Sequence, residues 1–272
     1  MTRIHRGAAE NAERKSNQAP HKINVMSFIT SNDGQFAYFD TQLRSPIWKG
    51  KSVLDFGGNI GNVLHHSRST IDEDRYWCID VSRDAILAGG KAAQGAHFIF
   101  YDRYNFEYNP DGIRNLAIPM NGDRFDFVLA LSVFTHTPQS EMLELAKNLE
   151  QLLNRGGRFA FTFFDPHYVP PGSDVSNLKY YFEMRAPDLS ETAIDAQVDR
   201  VRGARWCALA NSELEIESER LENVRGNSEG GYLAFYTPEY FQSLFPRGEI
   251  RTPVEPFSRQ HCCVITKGKP DG

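Results

Sequence analysis

The chain has 272 residues, 40% of them hydrophobic, and carries 35 acidic against 30 basic side chains for a formal net charge of −5. That length buries a full core without covalent staples, the acidic balance gives no electrostatic footing for nucleic acid, and no apolar run approaches the ~20 residues of a membrane span. Four cysteines, two of them the adjacent Cys262 and Cys263, make no disulfide framework, so a reduced, cytoplasmic setting is expected.

Residues 1–22 are polar through Lys22 with a scatter of charge; they read as a flexible arm without a signal-peptide apolar core. Between 23 and 45 the residues Val25, Phe28, Ile29, Phe36, Tyr38 and Phe39 are too many for a linker. They predict one or two short helices near a pocket mouth, interrupted at Asn32-Asp33-Gly34.

Residues 52–62, Ser-Val-Leu-Asp-Phe-Gly-Gly-Asn-Ile-Gly-Asn, are the stretch the remainder serves. Val53 and Leu54 run into Asp55, a turn containing three glycines follows, and Val63, Leu64 and His65 begin a helical pattern. Glycines let backbone approach a ligand closely, and the free N–H groups of a helix start favour an anion. Asp55 would repel a pyrophosphate but could hold an ammonium, so a ligand with both an amino and a carboxylate group suits the turn. The dinucleotide fingerprint needs glycine where Asn59 and Asn62 stand. This argues against the main alternative for such a fold, a nicotinamide-dependent oxidoreductase; a non-catalytic cofactor-binding scaffold is the other alternative.

Residues 75–80 form a second strand ending in Asp80, which follows Asp55 by 25 positions, near the ~20-residue interval at which a doubly wound fold sets an acid against ribose hydroxyls. Ser82 is available to cap the next helix, leaving Asp80 for a diol. The third strand, 97–101, ends at Tyr101 before Asp102, and the connection 104–124 shows no full helix. A fourth, strongly apolar strand at 125–131 leads into Ser132-Val133-Phe134-Thr135-His136-Thr137-Pro138. Thr137 as N-cap and Pro138 at the first helical position start a helix striped by Met142, Leu145, Leu149, Leu152 and Leu153, and Gly156-Gly157 stops it. The fifth strand, 158–164, ends at Asp165-Pro166-His167.

From 168 to 232 the pattern changes. Asp188 or Ser190 opens a helix bearing Ile194, Val198 and Val201, residues 205–210 suggest a strand, and 213–220 alternate strictly with Glu213, Glu215, Glu217 and Glu219 on one face. No His or Cys joins these acids at ligand spacing, so a solvated face is expected and no metal. Thr237-Pro238-Glu239 begins a last helix, and 249–254 and 260–266 read as two strands. In His261-Cys262-Cys263 adjacent side chains point to opposite faces of a strand, which again gives packing rather than a metal site.

Asp55, Gly57 and Gly61, with Asn59 in place of a middle glycine, resemble the first motif of the class I S-adenosylmethionine-dependent methyltransferases. The run of strand, Ser132 to His136, helix, Gly-Gly and strand is similar to the fourth and fifth blocks of their small-molecule members, and the agreement spans roughly residues 50–168. The resemblance implies an α/β, Rossmann-like, doubly wound seven-stranded sheet with an antiparallel last strand, plus an inserted α+β lid. Its parts would be an arm (1–22), an N-terminal helical lid segment (23–45), a core (46–167 and 233–268) and an insertion over the substrate site (168–232). The implied cofactor is S-adenosyl-L-methionine. Gly57, Gly58, Asn59 and Gly61 would offer amides to its carboxylate, Asp55 would take its ammonium, Asp80 its ribose and Asp102 its adenine edge, with Tyr101 or Arg103 beside the ring and Val81, Leu131 and Ser132 alongside. Phe36, Tyr38, Phe134, His136, His167 and Tyr168 would meet the substrate.

The implied reaction is methyl transfer to O, N or C of a small molecule, as in specialised metabolism, with no nucleic-acid or membrane partner; a homo-oligomer is compatible with it. Positioning is the larger part of such catalysis. A hydroxyl or phenol acceptor also requires a base, for which a histidine is suited. His136, directly after the fourth strand, is the first choice and His167, after the fifth, the second.

Overall fold

Strand-forming apolar runs separated by glycine-rich turns and amphipathic stretches are the pattern of a parallel sheet with helical crossovers, and the computed structural model has that architecture. It describes residues 34–120, 122–210, 213–218, 231–254 and 258–268. In chain order it begins with α1 (Gln35–Gln42), β1 (Val53–Phe56), α2 (Asn62–His66), β2 (Tyr76–Asp80), α3 (Arg83–Ala92), β3 (His97–Phe100), β4 (Phe125–Ala130), α4 (Gln139–Gln151) and β5 (Leu153–Phe163). β1 is parallel to β2 and β4, β2 to β3, and β4 to β5.

The chain then leaves the sheet through α5 (Asn177–Arg185), α6 (Glu191–Arg200), β6 (Trp206–Ala210), β7 (Glu213–Ile216) and β8 (Tyr232–Tyr236). The three strands form a separate antiparallel sheet in the order β7-β6-β8. Leu178, Phe182, Ile194, Val201, Leu209 and Phe235 give this unit its own apolar core, and the N–H of Tyr236 donates to the carbonyl of Phe164 at 2.8 Å, tying it to the end of β5. The chain returns through α7 (Pro238–Leu244), β9 (Gly248–Arg251) and β10 (His261–Thr266). The main sheet has seven strands in the order β3-β2-β1-β4-β5-β10-β9, with β10 antiparallel to both β5 and β9. The Rossmann-like sheet with an inserted α+β unit is thus observed.

Period-two alternation divides the strands between two cores. Leu54, Phe56, Val128, Ala130, Phe159 and Phe161 face α4 and α7. Val53, Tyr76, Cys78, Leu129 and Val264 face the layer that includes Tyr38, Phe39, Val63 and Ile86. Each large side chain so buried stabilises the fold by roughly 1.5–3 kcal/mol. The four cysteines are free and buried.

Several local expectations are corrected. Thr137 does not cap α4: its hydroxyl donates to the carbonyl of Val133 at 2.8 Å, and the extended Pro138 is the N-cap. Gly156-Gly157 does not stop that helix, which ends at Gln151. Both glycines lie inside β5, where a Cβ on Gly157 would fall 2.8 Å from the carbonyl oxygen of Phe125, at the register shift between β4 and β5. α5 was not anticipated, because Leu178, Tyr180, Tyr181, Phe182 and Met184 encircle the helix instead of forming a stripe. The alternating acidic run keeps strand form only to Ile216; Glu217 turns to φ 44° and pairs with Arg205 at 2.7 Å. Glu219, the arm 1–22 and residues 23–33 lie outside the described residues. Among the described residues no three His, Cys, Asp or Glu side chains could hold a metal, and no helix is long and apolar enough to cross a membrane.

Candidate active site

The C-terminal ends of β1, β2 and β4 open into a cavity of about 1070 Å³, at the top of the ~300–1,000 Å³ range of ligand pockets, with room for two small molecules. One wall is the glycine turn. Gly57, Asn59 and Gly61 have φ of 72°, 56° and 83°, the left-handed region that glycine adopts freely and asparagine tolerates. This accounts for Asn59 where a glycine is the commoner choice. A Cβ on Gly57 would sit 2.4 Å from Val133 Cγ2, and one on Gly58 would sit 2.6 Å from the carboxyl of Asp55. The turn is fastened to β2 by two amides. Gly57 N–H donates to the carbonyl of Ile79 at 2.7 Å and Asn59 N–H to Asp80 Oδ2 at 2.8 Å.

Asp80 lines the cavity. Its Oδ1 also accepts the N–H of Ser82 at 2.7 Å, while Ser82 Oγ caps α3 through Ala85 N–H at 3.3 Å. Burial raises its carboxyl above the ordinary range, and the amides of Ser82 and Asn59 oppose that rise. Asp80 is therefore not idle, contrary to expectation. Two amides occupy it, leaving about half of the four acceptor positions of a carboxylate for a ligand.

The second wall comes from residues 101–116, of which the sequence singles out only the start, Tyr101 to Arg103. Tyr101, Tyr104, Phe106 and Tyr108 line the cavity, with Arg103 beneath them. The Arg103 guanidinium is buried and donates to Glu141 Oε1 at 2.7 Å, Glu144 Oε2 at 3.0 Å and the carbonyl of Leu116 at 2.9 Å. Burial works against its charge, but the two glutamates and Tyr101 hold its pKa above the ordinary value. One cation with two carboxylates and a carbonyl fixes this loop to α4 by charge-assisted bonds. An arginine after an acid in a loop is the one sequence cue that could have flagged it.

His136 closes the cavity beyond Ser132 and Val133. It ends the single 3-10 turn Phe134–His136, and its Nδ1 is buried with no hydrogen-bond partner, 3.9 Å from Glu107 Oε2. Burial lowers its pKa, Glu107 raises it, Arg185 lowers it and the Tyr232 backbone raises it, for a net fall. The ring is thus neutral at pH 7 and can accept a proton. Ser132, at φ 57°, accepts on its Oγ from Gln260 Nε2 at 2.5 Å.

Of the residues singled out in the sequence, Gly57, Asn59, Asp80, Val81, Tyr101, Leu131, Ser132 and His136 line the cavity. Others do not. Asp55 shares a sheet face with Val53, Tyr76 and Cys78, so its side chain lies under the glycine turn, bonded to the Tyr76 hydroxyl. Burial pushes its pKa up to about 7, with the Tyr76 bond opposing and Asp80 adding to the rise. Gly58 and Gly61 pack against Asp55 and Phe98. Asp102 turns outward to accept from Asn109 Nδ2 at 3.1 Å.

The substrate candidates other than His136 are likewise elsewhere. Tyr38 is fully buried, its hydroxyl donated to the carbonyl of Gln260 at 2.9 Å. α1 turns Tyr38 and Phe39 into the core, and only Gln35, one turn earlier, reaches the cavity. Phe36 packs on Trp48 with ring centroids 5.5 Å apart, and Phe134 is buried edge-on to Phe161. His167 is exposed, its N–H bonded to Asp165 Oδ1, and Tyr168 meets His261 edge-on.

The model of the methyltransferase domain family matches residues 54–159, the segment from β1 through the glycine turn and the His136 turn into β5. This segment is thus similar to a methyltransferase domain. Solved structures share the fold of this chain at low identity. DesVI of Streptomyces venezuelae superposes with a TM-score of 0.52 at 13% identity, over 89% of this chain and 95% of that one. An S-adenosylmethionine-dependent methyltransferase from Clostridium acetobutylicum ATCC 824 superposes with a TM-score of 0.51 at 11% identity, over 90% and 99%.

Proposed function

We propose that the chain moves a methyl group from S-adenosylmethionine, held in this cavity, to a small molecule presented beside His136. The observation that carries the reading is the cavity itself, which joins the glycine turn, Asp80 and His136 in one space large enough for donor and acceptor. A concave pocket and a net charge of −5 suit a small acceptor better than a nucleic acid.

The residues present fit the cofactor. Gly57 lines the cavity at a position where a Cβ would meet Val133, and Asp80 keeps acceptor capacity for a ribose diol. Val81, Tyr101 and Leu131 would flank the adenine, and the turn at Asn59 would face the amino-acid end. Asp55 supports the turn from below instead of touching the ligand. Bound there, S-adenosylmethionine supplies a methyl group already activated by its sulfonium. The chain's own contribution is to hold the acceptor in line and exclude water, and to let the neutral His136 take a proton where the acceptor must lose one.

Isothermal titration of the folded protein with S-adenosylhomocysteine tests the reading. Binding on the order of micromolar is expected, weakened at least about tenfold in Asp80→Ala through the loss of charged hydrogen bonds. No measurable heat with folded wild-type protein would sink it.

A further inference from the structure

Glu107 sits at the tip of the 101–116 loop, opposite His136. Its own backbone is tied down: Asn105 Oδ1 accepts the N–H groups of Glu107 at 3.0 Å and Tyr108 at 2.9 Å. The base of the loop is closed by Tyr104 N–H to the carbonyl of Ile113 at 3.0 Å and by Arg103. A carboxylate is thereby fixed 3.9 Å from a buried imidazole nitrogen that has no hydrogen-bond partner. The same loop lines the cavity with Tyr104, Phe106 and Tyr108, and His136 lines it too.

We infer that Glu107 is the counter-ion that lets His136 take up the proton of its acceptor, and that the acceptor is a phenol. This rests on the methyltransferase reading of the cavity and adds its substrate class. In the proton step the acceptor O–H bond breaks, an N–H bond forms on the imidazole, and the electron pair stays on the oxygen, which becomes the nucleophile. A neutral imidazole can draw a proton from a phenol, whose pKa is near 10, far more readily than from an aliphatic alcohol, whose hydroxyl is closer to water. An uncharged amine needs no such help before it attacks. Three aromatic side chains also match a flat ring better than a flexible chain. The groups facing the ring are Glu107 from the loop, Arg185 from α5 and the backbone of Tyr232 from β8; of these only Glu107 carries the charge that favours an imidazolium. Glu107 is thus a positioning residue, acting through His136.

The test is an NMR titration of the His136 ring in the full chain saturated with S-adenosylhomocysteine, for wild type and Glu107→Gln. The His136 pKa should fall by about 1 unit in the variant, while calorimetry shows S-adenosylhomocysteine affinity unchanged. Equal pKa values overturn the counter-ion role. In parallel, transfer of labelled methyl from S-adenosylmethionine is followed to a panel of catechols, simple phenols, aliphatic alcohols and primary amines. Labelling of phenols, reduced at least about tenfold in Glu107→Gln, supports the substrate class; labelling confined to alcohols or amines overturns it. Failure of wild-type protein to bind S-adenosylhomocysteine would instead defeat the underlying reading.

Discussion

The two walls of the cavity are built by different means. The glycine turn is set by backbone: left-handed residues at Gly57, Asn59 and Gly61, and amides pinned to Ile79 and Asp80. The 101–116 loop is set by side chains, with one buried guanidinium tying it to two glutamates on α4. A wall of the first kind admits no added atom, because its fit is steric and local. The second kind admits many changes of shape but depends on a single charge, and it is the wall that carries the aromatic side chains Tyr104, Phe106 and Tyr108.

The sharpest way to break this contrast is Gly57→Val. Its Cβ would stand 2.4 Å from Val133 Cγ2 on a backbone at φ 72°, which a β-branched residue resists strongly. S-adenosylhomocysteine binding should weaken by about 100-fold or more, measured by calorimetry; retained affinity would show that the turn yields after all.

Next in size is the group beneath that wall. Asp55 has a folded pKa raised to about 7 from 3.8, so between those values the folded state holds a proton that the unfolded chain has lost. The associated stability is full below pH 4 and fades as pH rises towards 7. From pH 5 to pH 8 wild type should lose on the order of 2–3 kcal/mol from this group. In Asp55→Asn that slope should vanish; urea midpoints at pH 5, 6, 7 and 8 measure it, and parallel slopes would remove Asp55 as the source. The smallest effect is expected for Arg103→Met. Its glutamates are 32% and 44% exposed and can be rehydrated, so the loss should be about 2 kcal/mol, below that of a fully buried pair. Cofactor binding should change much less than in Gly57→Val, since the first wall is intact.

The sheet was legible because each of its strands is an apolar run bounded by turn residues, and the glycine turn because its chemistry is written in consecutive positions. Asp80 ends β2 and His136 closes the short turn after β4, so both could be found by counting from a strand end. Asp55 and Asp102 could not be placed, since a difference of one position at a strand end turns a side chain from ligand to core. Asp55 falls on the face of Tyr76 and Cys78, which only the pairing of β1 with β2 reveals. Tyr38 and Phe36 had the composition of a lid, but α1 presents its aromatic side to the core. Glu107 and the ion pairs of Arg103 were illegible for another reason. Their partners, His136 and Glu141 with Glu144, lie some thirty to forty positions away, and no local pattern announces a loop held by distant charge.

β10 lies between β5 and β9 although it is the last strand described, and Gln260 at its start carries the hydrogen bonds from Tyr38 and to Ser132 across separations of 222 and 128 residues. During synthesis the cavity-lining Ser132 therefore emerges from the ribosome long before the partner that orients it. The pocket cannot reach its final form until residues 258–268 have been made and threaded between two strands, a late, long-range step of the sort that slows folding. A nascent or truncated chain lacking that segment would expose the edges of β5 and β9, so ligand competence and protection from aggregation should arise together, once that segment has been made.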